Sequence, residues 1–244
     1  LMEFIAEHLP RFLGGAVLTV QLATISCVLG LLIALPVALS RLSRNPALRG
    51  LSTAYVFFFR GTPLLAQLFL IYYGSGQFRP QLDAVGLWDF FRDPWFCALL
   101  TLTLNTGAYT SEILRGAIQS IPRGEIEAAR ALGLKPLMQL RLVVLPRAIR
   151  IGWPAYTNEV VYQIQATSLV SIITVMDITG VARAVGSRHF TFFEAFGLAA
   201  ALYLVLVYGF IFVAGRIETR LNAHLASPSP SRAIPKADLK GMIR

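Results

Sequence analysis

The most constraining feature of this chain is a set of long stretches that carry no charged side chain. The longest, from Phe12 to Ser40, has 29 such residues, and residues 195–215 form another of 21. About 20 apolar residues in a helix are enough to cross the hydrocarbon core of a bilayer. Because backbone polar groups in hydrocarbon must be bonded within the protein, each run predicts a membrane-spanning helix. The chain is therefore expected to be an all-α integral membrane protein.

The composition supports a membrane protein and argues against nucleic-acid binding. Hydrophobic residues make up 55% of the 244 residues and charged residues 14%, and the mean hydropathy is +0.62, well outside the soluble range. The net charge is +9, from 22 Lys and Arg against 13 Asp and Glu. These charges fall between the apolar runs and form no continuous patch. A role in orienting the chain in the bilayer therefore explains them better than nucleic-acid binding does.

Three further regions complete a prediction of five spans: residues 61–78, 94–111 and 151–176. The second span follows a break at Arg60-Gly61-Thr62-Pro63, where Thr62 is expected to cap a new helix and Pro63 to take its first position. A charged break at membrane depth is tolerated only inside protein or beside a cavity. The alternative is that Arg60 extends to the inner headgroups.

Basic residues orient these spans. Arg41, Arg44 and Arg49 crowd the first connection, and residues 115–150 carry seven Lys or Arg against two Glu. The positive-inside rule places both segments in the cytoplasm, and the mixed-charge connections 79–93 and 177–194 outside. The N-terminus is then expected outside and the C-terminus in the cytoplasm.

Both ends of the chain are predicted to lie outside the bundle formed by residues 12–221. Residues 1–11 are expected to be a periplasmic segment, with 2–11 as a short helix on the membrane surface. Glu3 and Glu7 occupy the place where a cleavable signal peptide would be basic. Residues 222–244, rich in Ser, Pro and Lys, predict a disordered cytoplasmic tail.

The basic segment 115–150 contains residues that typically begin and end helices, in the order expected for a helical hairpin. Residues 124–132 include good helix formers, and Gly133 suits the left-handed turn that ends a helix. Pro136 is expected to open the next helix, and Pro146 to close or kink it. Two interpretations remain on this basis alone: a surface connection between two spans, or a docking device.

Polar side chains inside the third and fourth predicted spans mark helix faces. Spacings of four, four and three residues put one group on a single face: Thr101, Asn105, Tyr109 and Glu112. In the fourth span Glu159, Gln163 and Thr167 share a face, beside Asn158 on the next. Glu159 lies about 13 Å into its span at 1.5 Å per residue, where a carboxylate is costly unless paired or solvated. The groups either line a passage for a polar, cationic substrate or join packed helices, with Glu159 paired to Arg60 or Arg150.

The chain lacks the common catalytic patterns. It contains no Gly-rich loop ending in Gly-Lys-Ser/Thr, no metalloprotease His pair and no Gly-x-Ser-x-Gly elbow. Cys27 and Cys97 lie in apolar spans without metal-ligand spacing and are expected to be packing residues. His8, His189 and His224 are too scattered to suggest metal ligation. The sequence therefore predicts no catalysis, metal or cofactor on this chain.

Several motifs, in order, resemble the permease subunits of polar amino acid ABC importers. Glu127-Ala128-Ala129, with Gly133 six residues after the Glu and Leu145-Pro146 beyond, resembles the EAA loop of such permeases; Val143 stands where the pattern usually has Ile. Arg60-Gly61-Thr62-Pro63-Leu64-Leu65 and residues 105–112 extend the likeness, which covers about 12–221. Residues 165–173 resemble permeases for histidine, lysine and arginine or for arginine-derived opines.

The resemblance implies a type I ABC importer permease fold in a bacterial inner membrane. It also implies a second permease subunit, identical or paralogous, two ATPase subunits that hold ATP and Mg²⁺, and a periplasmic amino-acid-binding protein. The implied coupling loop spans about 116–149, with Glu127, Ala128, Ala129, Gly133, Leu145 and Pro146. The candidates for the substrate passage are Arg60, Thr101, Asn105, Tyr109, Glu112, Asn158, Glu159, Gln163 and Thr167.

The leading interpretation is a transport subunit that obtains its energy from a partner ATPase. A self-sufficient channel or secondary carrier that uses Glu159 as a proton or ion site is the alternative. Five spans without an internal repeat argue against it. A membrane enzyme is disfavoured because no catalytic constellation is found.

Overall fold

The computed structural model describes residues 2–222, which form helices joined by short turns and include no strand. The tail predicted at 222–244 lies outside the described residues except for Asn222. In chain order the helices are α1 Met2–Arg41, α2 Pro46–Gly61, α3 Leu64–Ser75, α4 Arg79–Ala84, α5 Trp88–Phe91, α6 Pro94–Gln119, α7 Arg123–Ala131, α8 Pro136–Gln139, α9 Leu145–Ala166, α10 Ile178–His189 and α11 Phe192–Asn222. Short 3₁₀ segments follow α3 and α9, at Gly76–Phe78 and Thr167–Ile173.

Local capping explains where several helices begin. The Asn45 side chain accepts a hydrogen bond from the backbone N–H of Ala47 at 3.0 Å, and Pro46 takes the first position of α2. Asp93 caps α6 in the same way through the N–H of Trp95, again at 3.0 Å. Each side-chain oxygen satisfies a backbone donor that has no partner within its helix.

The first helix differs from the prediction of a separate surface helix at 2–11. α1 runs without interruption through Pro10 to Arg41. Phe12, 0% exposed, packs into an apolar cluster with α10 and α11, and Phe4 joins the same cluster. This burial extends over both sides of Pro10, which explains why one lost backbone hydrogen bond does not divide the helix.

By length and composition, the described residues hold two to four candidate membrane spans. Glu3–Arg41 and Phe192–Asn222 each qualify alone. Two bent pairs qualify when each is taken as one element: Pro46–Gly61 with Leu64–Ala84, bent by 104°, and Pro136–Ile173 with Ile178–His189, bent by 46°. The third predicted span, in α6, is not among them, since its many polar side chains lower its hydropathy. The count of five and the orientation stay predictions.

α6 is the central helix of the bundle. Twelve of its 26 residues are buried, and its most extensive contact is with α1. The two helices are in close contact at Gly30, where an added Cβ would lie 2.6 Å from the Thr106 methyl group and 3.2 Å from the Gly107 nitrogen. Small residues at such a crossing let two helices approach closely in a membrane. Gly30 is therefore required by packing.

The second and fourth predicted spans are less regular than expected. α2 ends at Gly61 and α3 begins at Leu64, so Pro63 precedes the new helix and does not occupy its first position. α9 ends at Ala166, and the chain turns at Thr174, which has a φ of 71°. The connection predicted at 177–194 contains α10, whose first turn is capped by the side chain of Asp177 through the Gly180 N–H at 2.9 Å.

We predict that Gly30→Ala destabilises the bundle by about 1–3 kcal/mol, because the new methyl group overpacks the crossing of α1 and α6. Unfolding of the purified protein in detergent, followed by helix content, measures the effect. Gly14→Ala is the matched control, since no atom lies within 4 Å of a Cβ at Gly14 in the same helix. Equal stability of the two variants would contradict the assigned contact.

Candidate functional site

Thr101 and Asn105, on the predicted polar face of α6, lie in two different environments. Thr101 is 0% exposed and donates to the Cys97 carbonyl of its own helix at 2.7 Å. Asn105 is buried and its amide nitrogen donates to the side-chain oxygen of Gln67 at 2.9 Å and to the Phe59 carbonyl at 3.2 Å. The predicted face is therefore in contact with the broken element formed by α2 and α3.

Gln67 holds the break between α2 and α3. Its amide nitrogen lies 2.9 Å from the Phe59 carbonyl, 2.8 Å from the Thr62 hydroxyl and 3.1 Å from the Thr62 carbonyl. Carbonyls at the end of α2 have no partner within that helix, and at membrane depth they need one from the protein. Gln67 and Asn105 supply the donors. Sequence reasoning missed Gln67, a lone amide inside the apolar run 64–73.

Glu159 faces α6. Its side chain is buried, and one carboxylate oxygen accepts a hydrogen bond from the Thr106 hydroxyl at 2.9 Å. The methyl group of the same threonine lies against Gly30. Thr106 was not singled out from the sequence, although it follows Asn105 directly in an uncharged span.

The remaining candidates on α9 and directly after its end are the buried Gln163 and Thr167 and the exposed Asn158. Gln163 is 0% exposed, and its amide nitrogen donates to the Ser26 hydroxyl at 2.8 Å and to the Leu102 carbonyl at 3.2 Å. Thr167 donates to the Ile164 carbonyl at 2.8 Å. Asn158 is exposed, and so is Tyr162. Gln163 therefore joins α9 to α1 and α6, whereas Asn158 and Tyr162 lie at the surface of the described residues.

Two buried amide oxygens have no hydrogen-bond partner within the described residues: Oδ1 of Asn105 and Oε1 of Gln163. Both amides use their nitrogen atoms to bind neighbouring helices. An unpaired buried acceptor costs about 1–3 kcal/mol. These two atoms are therefore unpaired acceptors inside the helix bundle.

A cluster of charges lies at the other end of the α6 face. Arg41 and Arg115 both contact the carboxylate of Glu112 directly, and Nε of Arg115 lies 3.1 Å from its Oε1. Arg60 is the third guanidinium, at 4.0 Å from Oε2 of Glu112, and lies over the Tyr109 ring at 5.2 Å. A cavity of about 340 Å³ adjoins the cluster, and Arg41, Arg60 and Tyr109 contribute to its wall. The site is thus positively charged and open.

Tyrosine rings connect this cluster to the neighbourhood of Glu159. The rings of Tyr109 and Tyr162 lie 6.3 Å apart between centroids. Tyr162 follows Glu159 by three residues in α9, which puts the two on adjacent positions of one helix side. Tyr109 and Tyr162 therefore lie between the Arg60 guanidinium and the part of α9 that carries Glu159.

The predicted helical hairpin is present. α7 ends at Ala131, and Gly133 has a φ of +74°. The Gly133 N–H donates to the Arg130 carbonyl at 2.9 Å and the Leu134 N–H to the Ala129 carbonyl at 3.2 Å. This pair of bonds is a Schellman motif, for which glycine is the usual residue.

The second half of the hairpin corrects one expectation. α8 opens at Pro136 as predicted, but Pro146 does not end the helical path: a π-helical turn at Leu140–Val144 leads directly into α9. The backbone N–H of Leu145 donates to the Leu140 carbonyl. A wider turn relieves the clash between a proline ring and the carbonyl four residues earlier.

The motif residues of the hairpin point in two directions. Ala129 is 4% exposed, and Ile126 of the same helix packs against a small apolar cluster of Ala117, Ile121 and Ala148. Four other motif residues are exposed, and Leu145 is half-buried; the exposed ones are Glu127, Ala128, Gly133 and Pro146. Apolar side chains also protrude here, with Leu132 at 81% and Leu137 at 75% exposed. An exposed apolar patch with charged neighbours is typical of a protein interface.

Known proteins resemble this chain over nearly its whole length. A family model described as "Binding-protein-dependent transport system inner membrane component" matches residues 26–225. The nopaline transport system permease protein NocM of Agrobacterium fabrum is 48% identical over 240 residues, which is 97% of this chain and 98% of the relative. The histidine/lysine/arginine/ornithine transport system permease protein HisM of Escherichia coli is 41% identical over 219 residues, 90% of this chain and 92% of the relative.

Solved structures share the arrangement of the helices. The crystal structure of an amino acid ABC transporter with histidines aligns with a TM-score of 0.78 at 31% identity, over 88% of this chain and 96% of that one. An inward-facing structure of the MetNI methionine ABC transporter aligns with a TM-score of 0.75 over 88% and 98% of the two chains. Its identity of 22% shows the fold alone. The helical arrangement is that of ABC transporter membrane subunits.

Proposed function

Because the chain belongs to the family of binding-protein-dependent transport system inner membrane components, we propose that it carries basic amino acids or opines through a bacterial inner membrane. The observation that carries the proposal is the near full-length likeness to NocM and HisM, whose names specify nopaline and histidine, lysine, arginine and ornithine. Arginine, lysine and ornithine each combine a carboxylate with a distal cation. The buried Glu159 suits such a cargo, since a carboxylate in a low-dielectric site attracts cations.

The proposal includes partner chains. Two ATPase subunits bind ATP and Mg²⁺ and dock on the cytoplasmic hairpin, a second permease subunit completes the pore, and a periplasmic protein delivers the cargo. The exposure of Glu127, Ala128 and Gly133, together with the protruding Leu132, supports docking at this place. Within this arrangement the chain has five spans, with its N-terminus outside and its C-terminus inside.

The hairpin is also suited to transmit movement. It connects α6 to α9 within 25 residues, from Ser120 to Val144. These two helices carry Asn105, Thr106 and Glu159. A shift of the hairpin on the ATPase therefore acts on both walls of the passage, as alternating access requires.

Uptake by proteoliposomes tests the proposal. The chain is reconstituted with its ATPase, permease partner and binding protein, and uptake of arginine, lysine, histidine, ornithine, octopine and nopaline is measured with and without ATP. We expect ATP-dependent uptake of at least one of them. Uptake by the chain alone would favour the self-sufficient carrier, and uptake of none would refute the proposed cargo class.

We predict that Gly133→Pro and Glu127→Lys abolish docking of the ATPase while membrane insertion stays intact. Proline fixes φ near −65° and cannot adopt the +74° found at Gly133, and the Glu127 change reverses an exposed charge. Co-purification of the ATPase measures docking. Gly133→Asn is the matched control, because asparagine tolerates the left-handed conformation. Normal co-purification with the proline and lysine variants would refute the docking site.

We predict that Glu159→Gln lowers uptake of arginine about tenfold and that of a neutral amino acid much less, because the carboxylate discriminates by charge. The reconstituted transporter is assayed with labelled arginine and glutamine. Glu7→Gln, an exposed change at the other end of the chain, is the control. An equal loss for both substrates would assign Glu159 a structural role.

A further inference from the structure

We propose that the groove between α1 and α10 binds an anionic phospholipid, with Arg11 and Arg188 on its phosphate and an acyl chain along the apolar wall. The groove is separate from the cargo passage and from the hairpin, and its ligand does not depend on the nature of the cargo. Three features lead to this site: the antiparallel packing of the two helices, two arginines that line one cavity, and an apolar wall that continues into the charge-free part of α1.

α1 and α10 lie side by side and run in opposite directions. At one end of their contact the rings of His8 and His189 lie 5.3 Å apart between centroids. At the other end, a Cβ added to Gly15 would lie 2.9 Å from the backbone of Asp177. Phe12 packs between these two points, against an apolar cluster that includes residues of α10. The start of α1 and the end of α10 therefore meet at the same end of the groove.

A cavity of about 510 Å³ lies in this groove, and Arg11 and Arg188 contribute to its wall. The charge-free run of α1 starts at Phe12, directly after Arg11, which puts this guanidinium at the boundary of the hydrocarbon core. The rest of the wall is apolar or glycine: Gly14, Gly15, Leu18, Met176, Val181, Ala184 and Val185. The cavity is thus basic at the membrane surface and apolar toward the interior of the bilayer.

The two arginines of the groove keep their charge available for a ligand. Both are exposed, and within residues 2–222 neither forms an ion pair with a carboxylate. Asp177 lies beside the groove, but its oxygens accept hydrogen bonds from the Gly180 N–H at 2.9 Å and from the Tyr203 hydroxyl at 2.8 Å. A phosphodiester matches this arrangement, because its oxygens accept paired hydrogen bonds from a guanidinium group.

The apolar wall favours a lipid over a soluble anion or a docked protein. Leu18 lies about 10 Å deeper in the bilayer than Arg11, at 1.5 Å per residue, and Met176 at the same end of the cavity is 54% exposed. A soluble phosphate or a carboxylate of a docked protein would match the arginines but leave this apolar surface uncovered. A phospholipid covers both parts, and basic pockets between membrane helices bind anionic headgroups.

Photo-crosslinking in nanodiscs tests the inference on the complex of this chain with its ATPase and permease partners. The discs consist of phosphatidylcholine with a trace of phosphatidylglycerol or phosphatidylethanolamine that carries a diazirine in its acyl chain, and the labelled peptides are mapped by mass spectrometry. Labelling of residues 11–18 and 176–188 is divided by labelling of α11, which is mostly exposed. This ratio is expected to be about tenfold to thirtyfold higher for phosphatidylglycerol, since each arginine near the headgroups favours an anionic lipid about fivefold.

Variants separate the headgroup end of the groove from the chain end. Arg11→Gln combined with Arg188→Gln is expected to remove the preference for phosphatidylglycerol, and lysine at both positions to retain most of it. Gly14→Leu is expected to reduce groove labelling by both lipids, because a Cβ at Gly14 meets no atom within 4 Å and the larger side chain occupies the groove. The control, Arg44→Gln combined with Arg49→Gln, removes two exposed charges outside the groove and leaves the ratio unchanged.

Four outcomes would overturn the inference. Equal or absent groove labelling by the two lipids in the unmodified complex is the first, and a preference that survives the double glutamine change is the second. Displacement of phosphatidylglycerol by free sn-glycerol 3-phosphate would assign the arginines to a soluble anion instead. Loss of groove labelling when the periplasmic binding protein is added would assign the groove to protein docking. Labelling of α11 at the unmodified level shows that each variant is folded and inserted.

Discussion

The close approach of α1 and α6 at Gly30 is the contact on which the candidate site depends. It leaves room for the methyl group of Thr106 on one side, and the hydroxyl group of the same residue then donates to Glu159 on the other. Three helices, α1, α6 and α9, thus meet at one side chain. A buried carboxylate without a donor is costly in hydrocarbon, so the glycine that lets the helices approach also supports the charge.

The broken element formed by α2 and α3 also contains buried polar groups that need partners from other helices. A bend of 104° leaves backbone carbonyls without helical partners at this point, and the amides of Gln67 and Asn105 supply the missing donors. The break brings Arg60 to the end of its helix, beside a cavity and above a tyrosine ring. Irregular backbone and a basic side chain therefore occur together where the surrounding helices can satisfy both.

The hairpin between α6 and α9 gives this arrangement a mechanical link. Ile126 packs against a small apolar cluster formed by α6, α9 and the residue between α6 and α7, whereas Glu127, Gly133 and Leu132 are exposed. The hairpin is thus fixed to the bundle on one side and open to a partner on the other. The π-helical turn at Leu140–Val144 makes its connection to α9 continuous despite Pro146, and a continuous helix transmits displacement better than a flexible loop does.

The sequence by itself determined the all-helical class, the break near Arg60 and the end of α7 before Gly133, because these follow from local properties: charge-free length, proline and glycine. It also placed polar faces on α6 and α9. Only the tertiary structure decided what those faces touch. Three contacts show this: Thr106 donates to Glu159, Gln67 donates to Thr62 across the break, and Gln163 donates to Ser26. Their partners are far apart in the chain or lie within apolar runs. The uninterrupted α1 and the π-helical turn before Pro146 were missed because packing at these positions outweighs local preference, and no local pattern records which helices will meet.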